Sequence, residues 1–365
     1  MNITRLRLTN FKNYEVADVA FDHKVNIIYG NNGSGKTNIL DAIHFLSVSK
    51  SYFGLSDKYL IKDEQDFYRI EGYYAHEDKK DHIVIKYKRD QKRDILLNTK
   101  KLQRVGDLIG RFPVVLIAPD DINIVKGGSK ERRDYFNKWL CQSDRTYLDA
   151  LMSYNRLLRQ KDALLKGDYA PDRLTMEAYN SKMTGFAAKI HNSIITALSD
   201  FIPAVLDQYS AICEGKDDIQ LKYLSDLTDQ DISVLFNNMI PQEIHARRPL
   251  VGVQRDDYEF TIKDLPLKKY GSQGQIKSFL YALRLAEFIY LRKHLKRLPI
   301  LILDDFFEKL DRHRLSALLS LINSGTFGQV FLSDTELARS KAIFEDRGIT
   351  FGAYHVTEGS IERDQ

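Results

Sequence analysis

The run Gly30-Asn31-Asn32-Gly33-Ser34-Gly35-Lys36-Thr37 constrains this chain more than any other segment. Its three glycines permit a tight backbone turn that side chains would obstruct. Ahead of it, Val25-Asn26-Ile27-Ile28-Tyr29 reads as a short buried strand; behind it, Thr37 to Leu46 reads as a helix. Strand, glycine turn and helix in that order open an α/β layered fold. The spacing G-x-x-x-x-G-K-[ST] is met at every fixed position and in the context the motif needs. Such a turn curls backbone N–H groups around phosphate oxygens, and the helix start adds partial positive charge. Gly30, Asn31, Asn32, Gly33, Ser34, Gly35, Lys36, Thr37 and Asn38 are therefore expected to hold a nucleoside triphosphate. Lys36 is expected at the β- and γ-phosphates, and the Thr37 hydroxyl on Mg²⁺.

A phosphate cradle needs a metal partner. Ile300-Leu301-Ile302-Leu303-Asp304-Asp305 supplies a buried strand ending in two acids. Asp304 is expected to hold Mg²⁺, directly or through water, and Asp305 to orient or deprotonate the attacking water. Alone, the pair would read equally well as a solvated acidic turn. Gly271-Ser272-Gln273-Gly274-Gln275, just before a long helical stretch, is a third element: a serine and glycines at a helix start make an anion site. Plain capping of the helix by Ser272 is compatible with that role.

Mixed strand and helix character at both ends of the chain encloses a helical middle. Ile3 to Leu8 alternates as a strand, residues 67–100 read as antiparallel strands, and Val114-Val115-Leu116-Ile117 as a buried strand. The first 28 residues read as two strands. From Lys130 to about Tyr209 apolar residues fall at helical spacing, broken near Gly167–Pro171. Gln275 to Leu298 reads as one helix and Gln329–Leu332 as a strand. The expected parts are 1–120, an N-terminal ATPase part; 121–235, an inserted helical lobe; and 236–365, a C-terminal ATPase part. A 43% hydrophobic, 28% charged composition supports a sizeable core. Cys141 and Cys213 are the only cysteines, too few for a disulfide scaffold or a four-cysteine zinc site, and in keeping with a cytoplasmic protein. No apolar stretch approaches the ~18 residues of a membrane span, so no membrane partner is expected.

In the order phosphate loop, S-x-G-Q, acidic strand, the chain resembles the head of ABC-type ATPases. The resemblance implies an ABC-type head of mixed sheet and helices with an inserted, mostly helical lobe. It also implies that Ser272, Gln273, Gly274 and Gln275 bind ATP held by a second subunit, making an ATP-dependent homodimer. Leu8-Thr9-Asn10-Phe11-Lys12-Asn13-Tyr14 looks like the opening of the SMC/Rad50/RecF group. Pro119-Asp120-Asp121 through Lys126-Gly127-Gly128-Ser129-Lys130-Glu131-Arg132-Arg133-Asp134-Tyr135 resembles a RecF-family signature, with Ser129 where proline is usual. Gly252-Val253-Gln254-Arg255-Asp256-Asp257 resembles G-P-H-R-D-D. Leu303 to Asp311 also fits, with Glu308-Lys309 in place of Ser-Glu.

The resemblance to the RecF family implies a cytoplasmic, ATP- and Mg²⁺-dependent protein of recombinational repair. It would bind gapped, junction or double-stranded DNA without reading sequence and work with RecO and RecR to load recombinase, with slow, DNA-stimulated ATP hydrolysis as a timer. Where transporter-type relatives place a histidine, this chain has Ser333, Asp334 and Thr335, any of which is a candidate γ-phosphate sensor. Asp120 and Asp121 stand near a metal-linked glutamine position. Lys12, Asn13 and Tyr14 fit either a base or ribose contact or simple loop packing.

Overall charge is only +4, yet residues 79–104 hold ten Lys/Arg against three Asp, a local +7. Lys86, Lys88, Arg89, Lys92, Arg93, Lys100 and Lys101 are candidate DNA contacts, neutralising phosphates without reading bases. The rival is a lysine-protected sheet edge. Arg132 and Arg133 are further candidates, with a subunit interface or the helix itself as alternatives. A transporter ATPase is disfavoured by the missing histidine, and an SMC/Rad50 machine lacks its long heptads and C-x-x-C hook.

Overall fold

The opening strand, Asn2–Phe11, buries Leu6 and Leu8 while Arg5 and Arg7 face outward, as its alternation predicts. A bulge between Ile3 and Arg5 re-phases it, so Ile3 also reaches the core. The structure, a computed structural model, describes residues 1–76, 79–213, 217–228, 230–305, 322 and 327–364. The chain forms two units, Met1–Asp121 with Glu287–Gln365, and Ile122–Ala286.

The first unit holds two six-stranded sheets. The antiparallel one runs Tyr14–Ala20, Asn2–Phe11, Phe67–His76, Lys79–Lys88, Asp94–Leu97, Lys100–Lys101 in spatial order. In the other, Phe351–Thr357, Val25–Tyr29, Val330–Asp334, Ile300–Leu303 and Val114–Ile117 lie parallel, and Ser360–Arg363 closes one edge as a hairpin. The parallel strands are near-continuous apolar runs because both faces are covered. The helix Lys36–Val48 is likewise buried nearly all round, with Ile39, Leu40, Ile43, Phe45 and Leu46 in one core with side chains of both sheets. Gln329 ties the sheets together: its side chain accepts from Ile3 N at 2.8 Å and donates to Ile3 O at 3.0 Å. Tyr14–Ala20 is a third strand in a stretch whose sequence reads as two. Its exposed Val16 and inward Ala17 invert the usual hydrophobic contrast.

The second unit contains helices Ser129–Ser143, Arg145–Leu165 and Arg173–Cys213, and a three-stranded sheet with Asp257–Ile262 between Ile219–Leu224 and Leu265–Pro266. Trp139 stacks on Phe201 at 4.7 Å, and Phe136 on Tyr258 at 3.7 Å. This unit extends to Ala286, past the lobe boundary at 235 read from the sequence. The reason is pairing: Asp257–Ile262 runs alongside Ile219–Leu224 over all six residues. The helix Gln273–Leu295 carries the chain back to the first unit. No helix among the described residues is long and apolar enough to cross a membrane.

Candidate functional site

The phosphate loop starts where Val25–Tyr29 ends and closes on the helix Lys36–Val48. Gly30 has φ +148°, and a Cβ there would meet Val356 O at 2.3 Å; Gly35 has φ +118°, with Asn13 Nδ2 2.4 Å from its would-be Cβ. Only glycine fits either position. Lys36 is buried, and its ammonium donates to Gly30 O at 2.7 Å and Asn31 O at 2.9 Å. Both acceptors are neutral carbonyls of its own loop, so the charge is placed inside the cradle.

At the loop's far end, Thr37 Oγ1 donates to Asp304, 3.0 and 3.2 Å from its two carboxylate oxygens. Ser333 Oγ donates to Asp304 Oδ1 at 2.8 Å and accepts from the Asp305 amide at 2.8 Å. Three strand or loop ends thus meet at one carboxylate. Burial pushes the Asp304 carboxyl above its ordinary range. The Asp305 charge adds to that, while the Ser333 and Thr37 hydrogen bonds and the Lys36 charge oppose it. Asp305 has φ +47°, an uncommon left-handed conformation for a residue with a Cβ, of the kind found at functional sites. The Thr37 hydroxyl and Asp304 carboxylate are hard oxygens in contact, a donor pair that suits Mg²⁺, which takes few protein ligands and completes its shell with phosphate and water.

Of the three candidate sensors, Ser333 is the one in this network. The Asp334 carboxylate is engaged by Ser340 Oγ and the Thr335 amide. Asp121 is buried and holds its own turn, accepting from Ala118 N at 3.1 Å and from the Tyr52 hydroxyl. Asp120 is exposed. Lys12 is spent on Asp41 at 2.6 Å. Asn13 and Tyr14 reach the phosphate loop from outside: Asn13 Nδ2 donates to Ser34 O at 2.9 Å, Asn38 Nδ2 to Asn13 Oδ1 at 2.7 Å, and Tyr14 OH to Gly35 O at 3.0 Å.

In the second unit, Ser272 caps the helix Gln273–Leu295. Its Oγ accepts from Gln275 N at 3.2 Å while Gln275 Oε1 accepts from Ser272 N at 2.8 Å, a reciprocal capping box. Gln275 Nε2 also donates to Asp217 at 3.0 Å, so this side chain shapes the turn. Gln273 and Gly274 form the first helical turn. The resemblance over Phe306–Asp311 lies outside the described residues.

The basic candidates divide by burial. Lys88, Lys92 and Lys100 are exposed and have no carboxylate partner among the described residues. Lys86 and Lys101 share Asp94, and Arg89 faces Asp66 at 3.7 Å, all at the surface. Arg93 is different. It donates to Asp57 at 2.9 Å and lies over the Phe45 ring, which makes it a packing residue. Arg132 is buried in a two-bonded pair with Asp257 at 2.7 and 3.0 Å, and Arg133 donates to Asp256 O at 2.7 Å. Arg132 and Arg133 thus tie the helix Ser129–Ser143 to the start of the strand Asp257–Ile262, and Arg93 and Arg132 each already hold a carboxylate.

Comparison with known proteins agrees with this architecture. Residues 2–351 match the RecF/RecN/SMC N-terminal domain family. A DNA replication and repair protein RecF of Flavobacterium johnsoniae is 36% identical over 98% of this chain and 100% of its own. One from Porphyromonas gingivalis is 35% identical over 99% and 100%. Among solved structures, the recombination mediator protein RecF with ATP in the RecFOR pathway superposes with a TM-score of 0.89 at 24% identity, covering 100% of this chain and 97% of that one. An Smc head from Pyrococcus furiosus gives 0.54 at 16% identity, covering 99% and 95%. The chain belongs to the RecF family of DNA replication and repair proteins.

Proposed function

We propose that this protein is an ATP-gated DNA-binding factor of recombinational repair, and that it closes as a homodimer on ATP and releases through slow, DNA-stimulated hydrolysis. The observation that carries the reading is the direct contact between Thr37 and Asp304 at the mouth of the phosphate loop, braced by Ser333. Loop N–H groups and Lys36 bind the triphosphate. When bound, Mg²⁺ would neutralise charge on the phosphates between Thr37 and Asp304. Asp305, held by its amide to Ser333, orients the attacking water. Ser272 of one protomer, already fixed as a helix cap, offers its hydroxyl to the γ-phosphate bound by the other.

The DNA surface in this reading is the outer side of the antiparallel sheet and its basic hairpin, with Lys86, Lys88, Arg89, Lys92, Lys100 and Lys101 touching phosphates. Arg133 remains a candidate on the second unit. Backbone contacts of this kind favour DNA shape over sequence. Relatives described in the RecFOR pathway support RecO and RecR as partners. The test is anisotropy with gapped and blunt duplexes, with and without ATP, for wild type and Lys36→Ala. The reading predicts tighter, ATP-dependent binding to the gapped duplex that Lys36→Ala loses. Equal binding to both duplexes with and without ATP would contradict it.

A further inference from the structure

The phosphate-loop carbonyls need donors, and they find two kinds: Gly30 O and Asn31 O accept from Lys36, while Ser34 O and Gly35 O accept from other segments of the chain. Here Gly35 O is met by Tyr14 OH, and Ser34 O is met twice. Asn13 Nδ2 donates to it at 2.9 Å, and Gly359 N at 3.3 Å. Gly359 belongs to the turn between the last two strands, Phe351–Thr357 and Ser360–Arg363. It has φ +82°, and a Cβ there would lie 2.5 Å from Asn13 O. The same strand brings Val356 O against Gly30, at the other end of the loop. The two segments that grip Ser34 are thus the first hairpin and the last hairpin of the chain.

We propose that Asn13 and the Gly359 turn form a clasp on the Ser34 carbonyl that presets the phosphate loop for nucleotide, making the C-terminal hairpin a positioning element of the site. The inference rests on the loop being an ATP phosphate site. A loop fixed before binding loses less conformational freedom on binding, so the clasp acts on affinity. Gly359→Ala pushes against Asn13 O and forces an alanine into a left-handed φ; Asn13→Ala removes one donor and the support of Asn38. Arg363→Ala, in the same hairpin but paired at the surface with Asp22, is the control.

The experiment is calorimetric titration of the full chain with MgATP and with MgADP, at a temperature where circular dichroism shows each variant folded. Gly359→Ala and Asn13→Ala are each expected to weaken both nucleotides about ten-fold, the scale of one lost hydrogen bond, with Arg363→Ala within two-fold of wild type. If Gly359→Ala does not fold, Asn13→Ala alone decides. Wild-type affinity in a folded Asn13→Ala or Gly359→Ala chain overturns the clasp. Failure of wild type itself to bind MgATP overturns the underlying nucleotide reading instead.

Discussion

Each unit of the molecule buries a lysine, and the two have opposite surroundings. In the second unit, Lys161 is 1% exposed and meets Glu243 at 2.7 Å and Asn180 at 2.7 Å, with Asn180 bonded onward to Phe236 O. Burial pushes the Lys161 ammonium down, and the Glu243 contact pulls it back up. In the first unit, Lys36 is held by two neutral carbonyls of a glycine loop. A buried cation matched by a carboxylate is internal structure. A buried cation held by neutral carbonyl dipoles is the arrangement that the proposed phosphate role calls for. The same contrast separates Arg132, locked to Asp257, from exposed Lys88 and Lys92.

The largest effect is expected from Glu243→Ala. It leaves Lys161 buried without its carboxylate, and should lower unfolding stability by about 3–5 kcal/mol in urea titration. MgATP affinity of the folded fraction should stay unchanged. A near-neutral effect on stability would remove Lys161 from its structural class.

A pH experiment on the second unit comes next in size. Asp256, bonded by Tyr223 and Ser225 near Arg133 and Asp226, is pushed up to about 6 by burial. A carboxyl raised in the folded state contributes stability that is fully present below its ordinary value of 3.8 and lost as pH rises through about 6. Asp256→Asn abolishes that loss. Between pH 4 and 7.5 the variant should therefore gain on wild type by about 2–3 kcal/mol, at 1.4 kcal/mol per pKa unit. A difference independent of pH would show that Asp256 does not titrate in this window.

Smaller effects are expected from the exposed charges. Lys88→Glu with Lys92→Glu should leave stability unchanged and weaken DNA binding. It should lower the slope of log affinity against log salt by about one per lost phosphate contact. Retained slope would take the hairpin out of the DNA surface. Lys130→Ala, which breaks an exposed i,i+4 pair with Asp134, should change stability by no more than about 0.5 kcal/mol.

What the sequence revealed of this fold follows physical rules that act locally. Gly30 to Thr37 is legible because its backbone needs glycine, and Ile300–Leu303 because a strand covered on both faces is apolar throughout. Tyr14–Ala20 was hidden by an outward valine. Arg132 looked like a surface charge because its partner, Asp257, lies 125 residues away. Ser333 was one of three equal candidates, because its contact with Asp304 depends on the pairing of strands far apart in the chain. Gly359 carried no signal at all, since nothing in a lone glycine before a short strand points to residue 34.

On the proposed function, Lys36 serves an arriving anion and Lys161 the fold. The most direct test is the urea midpoint of wild type and Lys36→Ala with and without saturating MgATP. A ligand that binds only the folded chain at a hundred times its Kd stabilises by about 2.7 kcal/mol. That gain is expected for wild type and not for Lys36→Ala, with both midpoints similar in the absence of nucleotide. An equal gain in Lys36→Ala, or collapse of its fold without nucleotide, would contradict it.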